Sequence, residues 1–336
     1  MLLLTVLSAN AQVNTSCPGD CDDDGSVSAD ELVSGINLAL GELDLSACPA
    51  IDLNADGVAT IDEVVSALTH SLIGCEGDAG CNGAEDLCDR RYDEVSYATT
   101  HNAMSNADEG FRSPNQNHPI SRQLEDGVRA LMLDTYVYLD DVYLCHVDCS
   151  FFGRKRLVDG LAEIRTFLER HPNEIVSIIF EAYVSAEATA AVFERAGLLP
   201  YVHTQSLTEP WPTLGEMIDS GRRLVVFSDS DRGVLPWYHY AWDYAFETHF
   251  SYERPEDFAC APNRGNPSSS LFILNHFLTR AFGAPRLAEL VNHNPLFSAR
   301  ARECMEANDR LPNFVTVDFY DIGDVFDVVR ELNGTP

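Results

Sequence analysis

The amino-acid sequence predicts an α/β protein, with a TIM-type (β/α) barrel that follows a small α-helical N-terminal module. Three observations support this division. From Glu94 onward, eight short β-rich runs alternate with amphipathic helical stretches. Residues 1–89 contain 17 acidic residues and no Lys or Arg, so all 22 basic residues lie from Arg90 onward. Within this acidic segment, two twelve-residue stretches repeat one spacing of oxygen-bearing side chains.

The barrel is predicted from the pattern of its strands. The β-rich runs are EVSYATTH, VRALMLD, DVYLCH, IVSIIFEAY, RLVVFSD, YAFETHF, SLFILNHF and FVTVDFY, with helical stretches such as LVDGLAEIRTFLER, AEATAAVFERAG and AELVNHN between several of them. Some runs are too continuously apolar for a half-exposed sheet, which favours parallel strands covered by helices. Such barrels carry functional side chains at the carboxyl ends of strands. Here those ends carry His101, Asp134, His146, Glu181, Asp229, His276 and Asp318.

The composition describes a strongly acidic protein. The chain has 336 residues, with 53 Asp and Glu against 22 Lys and Arg and a net charge of −31. A charge of this sign repels phosphate backbones, so nucleic-acid binding is not expected. The length is sufficient for about two domains.

Export is predicted from the N-terminus and from the cysteines. The first eleven residues, MLLLTVLSANA, form a short apolar run with an end suited to signal-peptidase cleavage; an ordinary buried segment is the alternative. The ten cysteines are an even number and lack the spacing of a structural zinc site, which favours disulfides. We therefore expect residues 1–11 to be a signal peptide and the protein to be secreted or located at the cell surface.

The two repeated stretches read as EF-hand calcium loops. They are DCDDDGSVSADE, from Asp20 to Glu31, and DLNADGVATIDE, from Asp52 to Glu63. Calcium prefers six to eight hard oxygen ligands, and the sixth loop residue, here Gly25 or Gly57, must turn sharply. The expected ligands are Asp20, Asp22, Asp24, Ser26, Ser28 and Glu31 in the first loop and Asp52, Asn54, Asp56, Val58, Thr60 and Glu63 in the second.

Each loop runs into an apolar helical pattern, ELVSGINLAL or EVVSALTHSL, and the module resembles dockerin-like repeats. Cellulosomal dockerins usually end the loop with Asp, so Glu31 and Glu63 depart from that pattern. Calcium either only folds this module, or also supports docking to a cell-surface or scaffold partner. We expect the calcium module over residues 12–75, a linker over 76–87 and the barrel over 88–333.

Two histidines suit acid–base chemistry at a phosphate. Imidazoles take and give protons near neutral pH, and two of them on either side of one phosphorus could perform both transfers. His101 and His146 are the candidates, although a structural role is the alternative for each.

The motifs around these histidines resemble the X-domain of phosphatidylinositol-specific phospholipases C. They are THNAM, QLEDGVRALMLDTY and YLCH, followed by NEIVSIIFEAYV, WPTLGEMI, RLVVFSD, CAPNR and NFVTVDFY. The resemblance covers roughly residues 88–333 and is closest to the plant and fungal branch of phospholipase-C-like phosphodiesterases. It implies an imperfect TIM barrel in which His101 is the general base on the inositol 2-hydroxyl and His146 protonates the leaving diacylglycerol oxygen. The product would be a cyclic phosphate.

The resemblance leaves the substrate and the metal open. Asn102, Asp134 and Glu181 match or approximate three calcium ligands of the metal-dependent members, but Met132 stands at the fourth position and is a poor ligand for calcium. Alternatively, Asp134 and Glu181 orient the histidines or a substrate hydroxyl. A glycerophosphodiester or sphingolipid head group, or a non-catalytic surface-binding role for the barrel, are the competing readings of function.

Other side chains are assigned supporting roles. Asp318 is expected to orient His101, with an exposed strand-end carboxylate as the alternative. Arg129 or Arg264 could contact the phosphate, and we favour Arg264. The aromatic run LPWYHYAW, residues 235–242, is either pocket wall and core or a transient contact with a membrane surface. The single Lys155 and the acidic surface suit a soluble phosphodiester better than a bilayer.

Spacing and the resemblance together suggest three disulfides, namely Cys81–Cys88, Cys145–Cys149 and Cys260–Cys304. Three pairings stay open for the remaining Cys17, Cys21, Cys48 and Cys75.

Overall fold

The computed structural model describes residues 17–22, 26–52, 57–73, 80–280 and 282–335. Contacts divide the chain into two compact units, Met1–Ala79 and Gly80–Pro336. The expected signal peptide, residues 1–11, lies outside the described residues. No described helix is long and apolar enough to cross a membrane.

The N-terminal unit is built on two helices, α1 (Ala29–Ala39) and α2 (Ile61–Ile73). A capping box begins α1, because the Ser28 hydroxyl accepts from the Glu31 amide while the Glu31 carboxylate accepts from the Ser28 amide. A Cys21–Cys48 disulfide is present, which is one of the pairings left open by the sequence, and Cys75 lies outside the described residues. The small core of this unit is formed by Cys17, Val27, Leu38, Cys48, Ile51, Ala59 and Ala67.

The second unit is an incomplete parallel barrel. Its strands are β1 (Tyr97–Thr100), β2 (Ala130–Tyr138), β3 (Asp141–Leu144), β4 (Lys155–Arg156), β5 (Val176–Ala182), β6 (Leu224–Ser228), β7 (Tyr238–Tyr240), β8 (Ala245–Thr248), β9 (Pro262–Gly265), β10 (Leu271–Asn275) and β11 (Phe314–Val317). The sheet order is β7-β6-β5-β2-β1-β11-β10-β8-β9, and all neighbours from β7 to β8 along this path are parallel. Among the described strands, β7 and β8 do not pair, so the barrel is open there.

The predicted fold class is confirmed, with two differences in the strands. DVYLCH contributes β3, which folds back antiparallel to β2 as a hairpin and pairs with β4. The eighth parallel strand is instead β7, which comes from the aromatic run at residues 235–242. The alternation of half-buried and buried residues along β3 contrasts with the continuous burial of β1, β6 and β11, because a hairpin outside the barrel wall buries one face only.

Helices cover the outside of the barrel. They are α3 (Ile120–Glu125), α4 (Leu157–Arg170), α5 (Ala186–Ala196), α6 (Leu214–Asp219), α7 (Ala241–Tyr244), α8 (Pro285–Val291), α9 (Leu296–Asn308) and α10 (Val325–Asn333). In α4, Leu157, Leu161, Ile164 and Leu168 recur at helical spacing and are fully buried. Alternate residues of a strand enter different cores: Ile178 and Phe180 of β5 pack in the cluster that includes the helices, and Ile179 packs in the other cluster.

The three disulfides expected for this unit, Cys81–Cys88, Cys145–Cys149 and Cys260–Cys304, are confirmed. Residues 80–87, expected to belong to the linker, instead pack with the barrel, because Cys81 and Leu87 are buried in one of its clusters.

Candidate active site

His101 and Asp318 meet where the first and last strands of the barrel lie side by side. Thr100 of β1 is in register with Val317 of β11, so the next residue of each strand emerges at the same carboxyl edge. The His101 Nδ1 donates to Asp318 Oδ1 at 2.8 Å. Asp318 is 3% exposed, which excludes the alternative of an exposed strand-end carboxylate. The pair leaves His101 Nε2 as the acceptor nitrogen.

Neighbouring amides complete this arrangement. Asn115 Nδ2 donates to Asp318 Oδ1 at 3.1 Å, and Asn102 Nδ2 lies 3.1 Å from His101 Nε2. Asn102 adopts a positive φ of 48°, a conformation that Asn tolerates better than most residues. His101 Nε2 therefore faces the pocket, and its neighbour there is the uncharged amide of Asn102.

His146 reaches the same edge through the β2–β3 hairpin. Because β3 runs back toward the barrel, the Cys145 amide donates to the Asp134 carbonyl at 3.3 Å, and His146 follows. Burial, together with the neighbouring His101, lowers the pKa of His146 to about 4, and the carboxylates of Asp318 and Glu181 act in the opposite direction. The buried His146 Nδ1 has no hydrogen-bond partner among the described residues.

A pocket with an empty volume of about 600 Å³ opens beside His101. Its charged lining is mostly acidic: Asp134, Glu181, Asp229 and Glu247 lie there together with Arg264. Burial raises the pKa of Asp134 well above its usual range, and the negative charges of Glu181 and Asp229 add to this rise. The Asp134 carboxyl is therefore held toward its protonated form.

Arg264 is fixed by one carboxylate and two aromatic rings. Its Nε donates to Oε1 of the buried Glu247, and its guanidinium lies 4.6 Å from the ring centroid of Trp242 and 4.5 Å from that of Phe250. Trp242 belongs to the aromatic run, while Trp237 and Tyr238 of that run are buried, in agreement with the pocket-wall and core interpretation. A guanidinium held in this way presents a preorganised fork of donors.

Comparison with known proteins identifies the family. A family model described as PI-PLC X 1 matches residues 87–333. The chain belongs to the PI-PLC X family. A PI-PLC X domain-containing protein of Arabidopsis thaliana is 32% identical, over 72% of this chain and 62% of the relative. PI-PLC X domain-containing protein 1 of Arthroderma benhamiae is 31% identical, over 81% of this chain and 95% of the relative.

Solved structures agree with the PI-PLC X fold. The phosphatidylinositol-specific phospholipase C from Listeria monocytogenes superposes with a TM-score of 0.52 at 16% identity, over 74% of this chain and 94% of that structure. A Staphylococcus aureus phosphatidylinositol-specific phospholipase C gives 0.51 at 12% identity, over the same shares of each chain. At these identities the likeness establishes the fold alone.

Arg129, a candidate from the sequence, and His276, noted only for its place at a strand end, lie elsewhere in the PI-PLC X barrel. Arg129, a candidate for phosphate binding, precedes β2 at the amino edge, where its Nε donates to Glu174 and its Nη1 donates to the carbonyls of Leu124 and Val128. Arg129 therefore makes structural contacts and does not line the pocket, while its role in phosphate binding stays a prediction that is not favoured by this position.

His276, at the end of β10, is also structural. It is completely buried, donates from Nε2 to the Val291 carbonyl and accepts at Nδ1 from Arg300. Both ring nitrogens are occupied, so this histidine has no free position for a substrate.

The structure adds site residues that the sequence did not single out. Glu247 anchors Arg264 and accepts from Asn275 Nδ2 at 3.0 Å. Phe277 stacks on His101 with ring centroids 4.1 Å apart. Glu247 and Asn275 each lie within a predicted strand run, YAFETHF or SLFILNHF, where a polar residue in a buried strand was the available signal.

The acidic pocket does not complete a calcium site with the residues expected for it. Asn102 directs its amide nitrogen toward His101, and Met132 adds a thioether to the lining. Among the described residues of the pocket, no three Asp, Glu, His or Cys side chains place their ligand atoms within 4.8 Å of one another. A hard cation that requires six to eight oxygens is poorly served by this set.

The first N-terminal loop offers a better donor set. Carboxylate oxygens of Asp20, Asp22 and Glu31 lie within 4.8 Å of one another. In the second loop, Asp52 Oδ2 accepts from the Gly57 amide at 2.8 Å, and Glu63 Oε2 accepts from the Thr60 amide at 2.7 Å. The remaining expected ligands Asp24, Asn54 and Asp56 lie outside the described residues.

Proposed function

We propose that this protein is a secreted phosphoric diester hydrolase of the phosphatidylinositol-specific phospholipase C type. The observation that carries the proposal is the His101–Asp318 hydrogen bond beside a pocket. His146 lies near enough to His101 for the two imidazoles to affect each other's charge. Two imidazoles and a preorganised Arg264 at one edge supply the groups that cleavage of a phosphodiester needs.

In the first step, His101 acts as general base. Its Nδ1–H is held by Asp318, so Nε2 accepts the proton of a substrate hydroxyl while that oxygen attacks phosphorus. His146 donates a proton to the leaving oxygen as its bond to phosphorus breaks, which produces a cyclic phosphate and a free alcohol. Water then opens the ring with the two roles reversed, and both histidines return to their starting protonation states.

Substrate binding prepares His146 for this role. Burial lowers the pKa of His146 to about 4, so the ring is neutral at pH 7 in the free protein. A phosphodiester anion beside the ring stabilises imidazolium and raises the pKa. His146 therefore becomes protonated when the substrate binds, and the protein is ready for catalysis only in the substrate complex.

The pocket supplies the remaining contacts. Arg264 Nη groups bind phosphoryl oxygens, and its attachment to Glu247 fixes their direction. Asp134 and Glu181 bind head-group hydroxyls: Asp134 donates from its protonated carboxyl, and Glu181 accepts. Asn102 donates to the phosphodiester when the substrate hydroxyl replaces it at His101 Nε2. No step passes through a metal ion.

Purified His101→Ala and His146→Ala variants test these roles. Each is expected to lose phosphatidylinositol cleavage by at least about 10³-fold while remaining folded. His171→Ala is the matched control, because His171 ends α4 at the opposite edge of the barrel and pairs with Glu125. Full activity in either site variant would remove the proposed roles. Absence of any phosphodiesterase activity in the unmodified chain would favour a non-catalytic binding role.

Product analysis decides the head group. Phosphorus NMR on phosphatidylinositol, a glycerophosphodiester and a sphingolipid distinguishes the substrates, and a cyclic phosphate intermediate supports the inositol-type reaction. If only the glycerophosphodiester or the sphingolipid is cleaved, the protein is a phosphodiesterase whose substrate is not an inositol lipid.

A lipid substrate requires brief contact with a membrane surface. Val137 and Leu139, near the tip of the β2–β3 hairpin, are 66% and 72% exposed, and Val147 beside His146 is 59% exposed. We assign this contact to the hairpin rather than to the aromatic run, whose Trp237 and Tyr238 are buried. Vesicle sedimentation with Leu139→Ser checks it, and unchanged binding would refute the assignment.

The N-terminal unit is proposed to bind calcium through its two loops and to dock to a cell-surface or scaffold partner. The convergent carboxylates Asp20, Asp22 and Glu31 support calcium binding. In calorimetric titration with Ca²⁺, the Glu31→Gln variant should bind one ion fewer than the unmodified chain. An unchanged number of bound ions would contradict the assignment. Export is supported by the disulfides and by a 29% identical Arthroderma benhamiae relative named as a secreted protein.

A further inference from the structure

The imidazole of His101 is held on one face by an aromatic ring from the neighbouring strand. Phe277 lies two residues beyond β10, and β10 pairs with β11, the strand that carries Asp318. The Phe277 and His101 rings are nearly parallel, with an interplanar angle of 9° and centroids 4.1 Å apart. Phe277 is itself buried, so its ring is a fixed surface.

The carboxylate of Asp318 is held by a close approach of Gly283. A Cβ atom at position 283 would lie 2.4 Å from Asp318 Oδ2 and 3.0 Å from Asn115 Nδ2. The first distance is shorter than Cβ contacts in folded proteins, so any side chain at this position must displace the carboxylate or the backbone. Gly283 does not have a positive φ, so it is the space beside Asp318 that requires glycine here.

This approach shields the second oxygen of Asp318. Among the described residues, Asp318 Oδ2 is buried without a hydrogen-bond partner, while Oδ1 accepts from both His101 and Asn115. An unpaired buried oxygen costs free energy, and in a weakly polar environment its charge acts strongly on a nearby imidazolium. The side-chain hydrogen bonds described for this carboxylate are those from His101 and Asn115, so they depend on its exact position.

We infer that Phe277 and Gly283 are positioning residues for the His101–Asp318 pair. Phe277 fixes the plane of the imidazole so that Nδ1 faces the carboxylate and Nε2 faces the pocket. Gly283 fixes the carboxylate and keeps water from Oδ2. The catalytic consequence rests on the proposed function, whereas the geometric consequence for His101 does not.

Two substitutions in the full chain test the inference. Gly283→Ala inserts a methyl group against Asp318, and Phe277→Leu keeps an apolar residue but removes the stacked ring. Each should lower kcat on a phosphodiester by about 10²-fold with little change in KM, because a small misplacement of the base affects the chemical step. The nitrogen-15 NMR signature of a His101 Nδ1–H hydrogen-bonded to a carboxylate should weaken or disappear in both. Phe277→Tyr, which retains the ring, should keep it.

Two further variants control for general damage. Gly215→Ala also lacks a positive φ and crowds a backbone atom, the Cys88 carbonyl oxygen at 3.2 Å, but lies away from the pair. Phe272→Leu removes a fully buried ring of β10 itself, one that stacks on Phe246 instead of His101. Both controls should keep the His101 signature and kcat.

The measurements separate the two proposals. An unchanged His101 signature in folded Phe277→Leu or Gly283→Ala would overturn the positioning roles. If the unmodified chain cleaves no phosphodiester, the proposed function fails, and the NMR comparison still decides whether these residues position His101. If Gly283→Ala does not fold, Phe277→Leu and Phe277→Tyr decide the question.

Discussion

His101 and Asp318 are 217 residues apart in the chain, yet the barrel places them 2.8 Å apart. The parallel pairing of β1 with β11 is the cause, since Thr100 and Val317 are in register and each is followed directly by one member of the pair. The geometry of this hydrogen bond therefore depends on correct pairing of the first and last strands. A barrel that mispairs these strands has no oriented base.

Asp318→Asn tests the orienting carboxylate. The amide keeps the shape of the side chain but removes the charge that holds the proton on His101 Nδ1, so we expect kcat to fall by about 10³-fold or more. Stability should change little, because the amide nitrogen replaces one unpartnered buried atom by another while the amide oxygen can still accept from His101 and Asn115. Kinetics and thermal unfolding measure the two effects. Wild-type turnover in this variant would show that Asp318 does not orient the base.

The titration of His146 should respond to an anion in the pocket. Its low pKa of about 4 arises from burial, and a bound phosphate favours the charged ring. The NMR titration midpoint of His146 should therefore rise when inorganic phosphate is added. Because a general acid must be protonated, kcat/KM should decline as pH rises through about 4, whereas kcat should decline only at higher pH.

His239 is the internal control for this titration. Burial lowers its pKa to about 4 as well, but its Nδ1 bonds to the Val226 carbonyl and its Nε2 accepts from the Gln205 amide, so neither nitrogen can bind the anion. Its midpoint should not move with phosphate. Equal shifts at both histidines would indicate a general salt effect and contradict the proposal.

The two arginines considered for phosphate binding give opposite predictions. Arg264→Lys keeps a positive charge beside Glu247 but loses the planar fork, so kcat/KM should fall by about 10-fold. Arg129→Lys loses its hydrogen bonds to two carbonyls and should destabilise the fold by about 1–3 kcal/mol without changing kcat. Steady-state kinetics and denaturant unfolding of both variants provide the test. The reverse pattern would return Arg129 to the site.

Most of the barrel could be predicted because its strands are continuously apolar. Seven of the eight predicted runs correspond to parallel strands. The eighth, DVYLCH, forms β3 outside the wall, and this position shows in the alternating burial of the structure rather than in the sequence. The three-residue β7 could not be recognised, since its sequence YHY is too short for a period and sits within an aromatic run.

The candidate site was predictable only where motifs or strand ends marked it. His101 and Asp318 directly follow strands, and the structure joins them by a hydrogen bond. Asp134 lies within β2 and lines the same pocket as His101, whereas His146 follows β3 and is not among the residues that line this pocket. The supporting residues depend on three-dimensional packing: Phe277 matters because a ring lies beneath His101, and Gly283 because a carboxylate occupies the space of its missing side chain. Neither relationship has a local sequence signature.

Two disulfides of the barrel are expected to stabilise different properties, one the position of His146 and the other the fold. Cys145–Cys149 spans a sequence separation of 4 around His146, whereas Cys260–Cys304 spans 44 and joins the segment before β9 to α9. In the chain-entropy view, removal of the short crosslink should cost about 2 kcal/mol of unfolding free energy and removal of the long one about 4 kcal/mol. Activity should follow the opposite order, because only the short loop holds the proposed acid.

Double Cys→Ser variants of each pair, assayed within the temperature range where both are folded, make the comparison. The Cys145/Cys149 variant should lose kcat by about 10-fold or more, since a mobile His146 spends less time in the productive position. The Cys260/Cys304 variant should keep kcat near the wild-type value while unfolding at lower denaturant concentration. If activity instead follows stability in both variants, the short disulfide serves the fold rather than the position of His146.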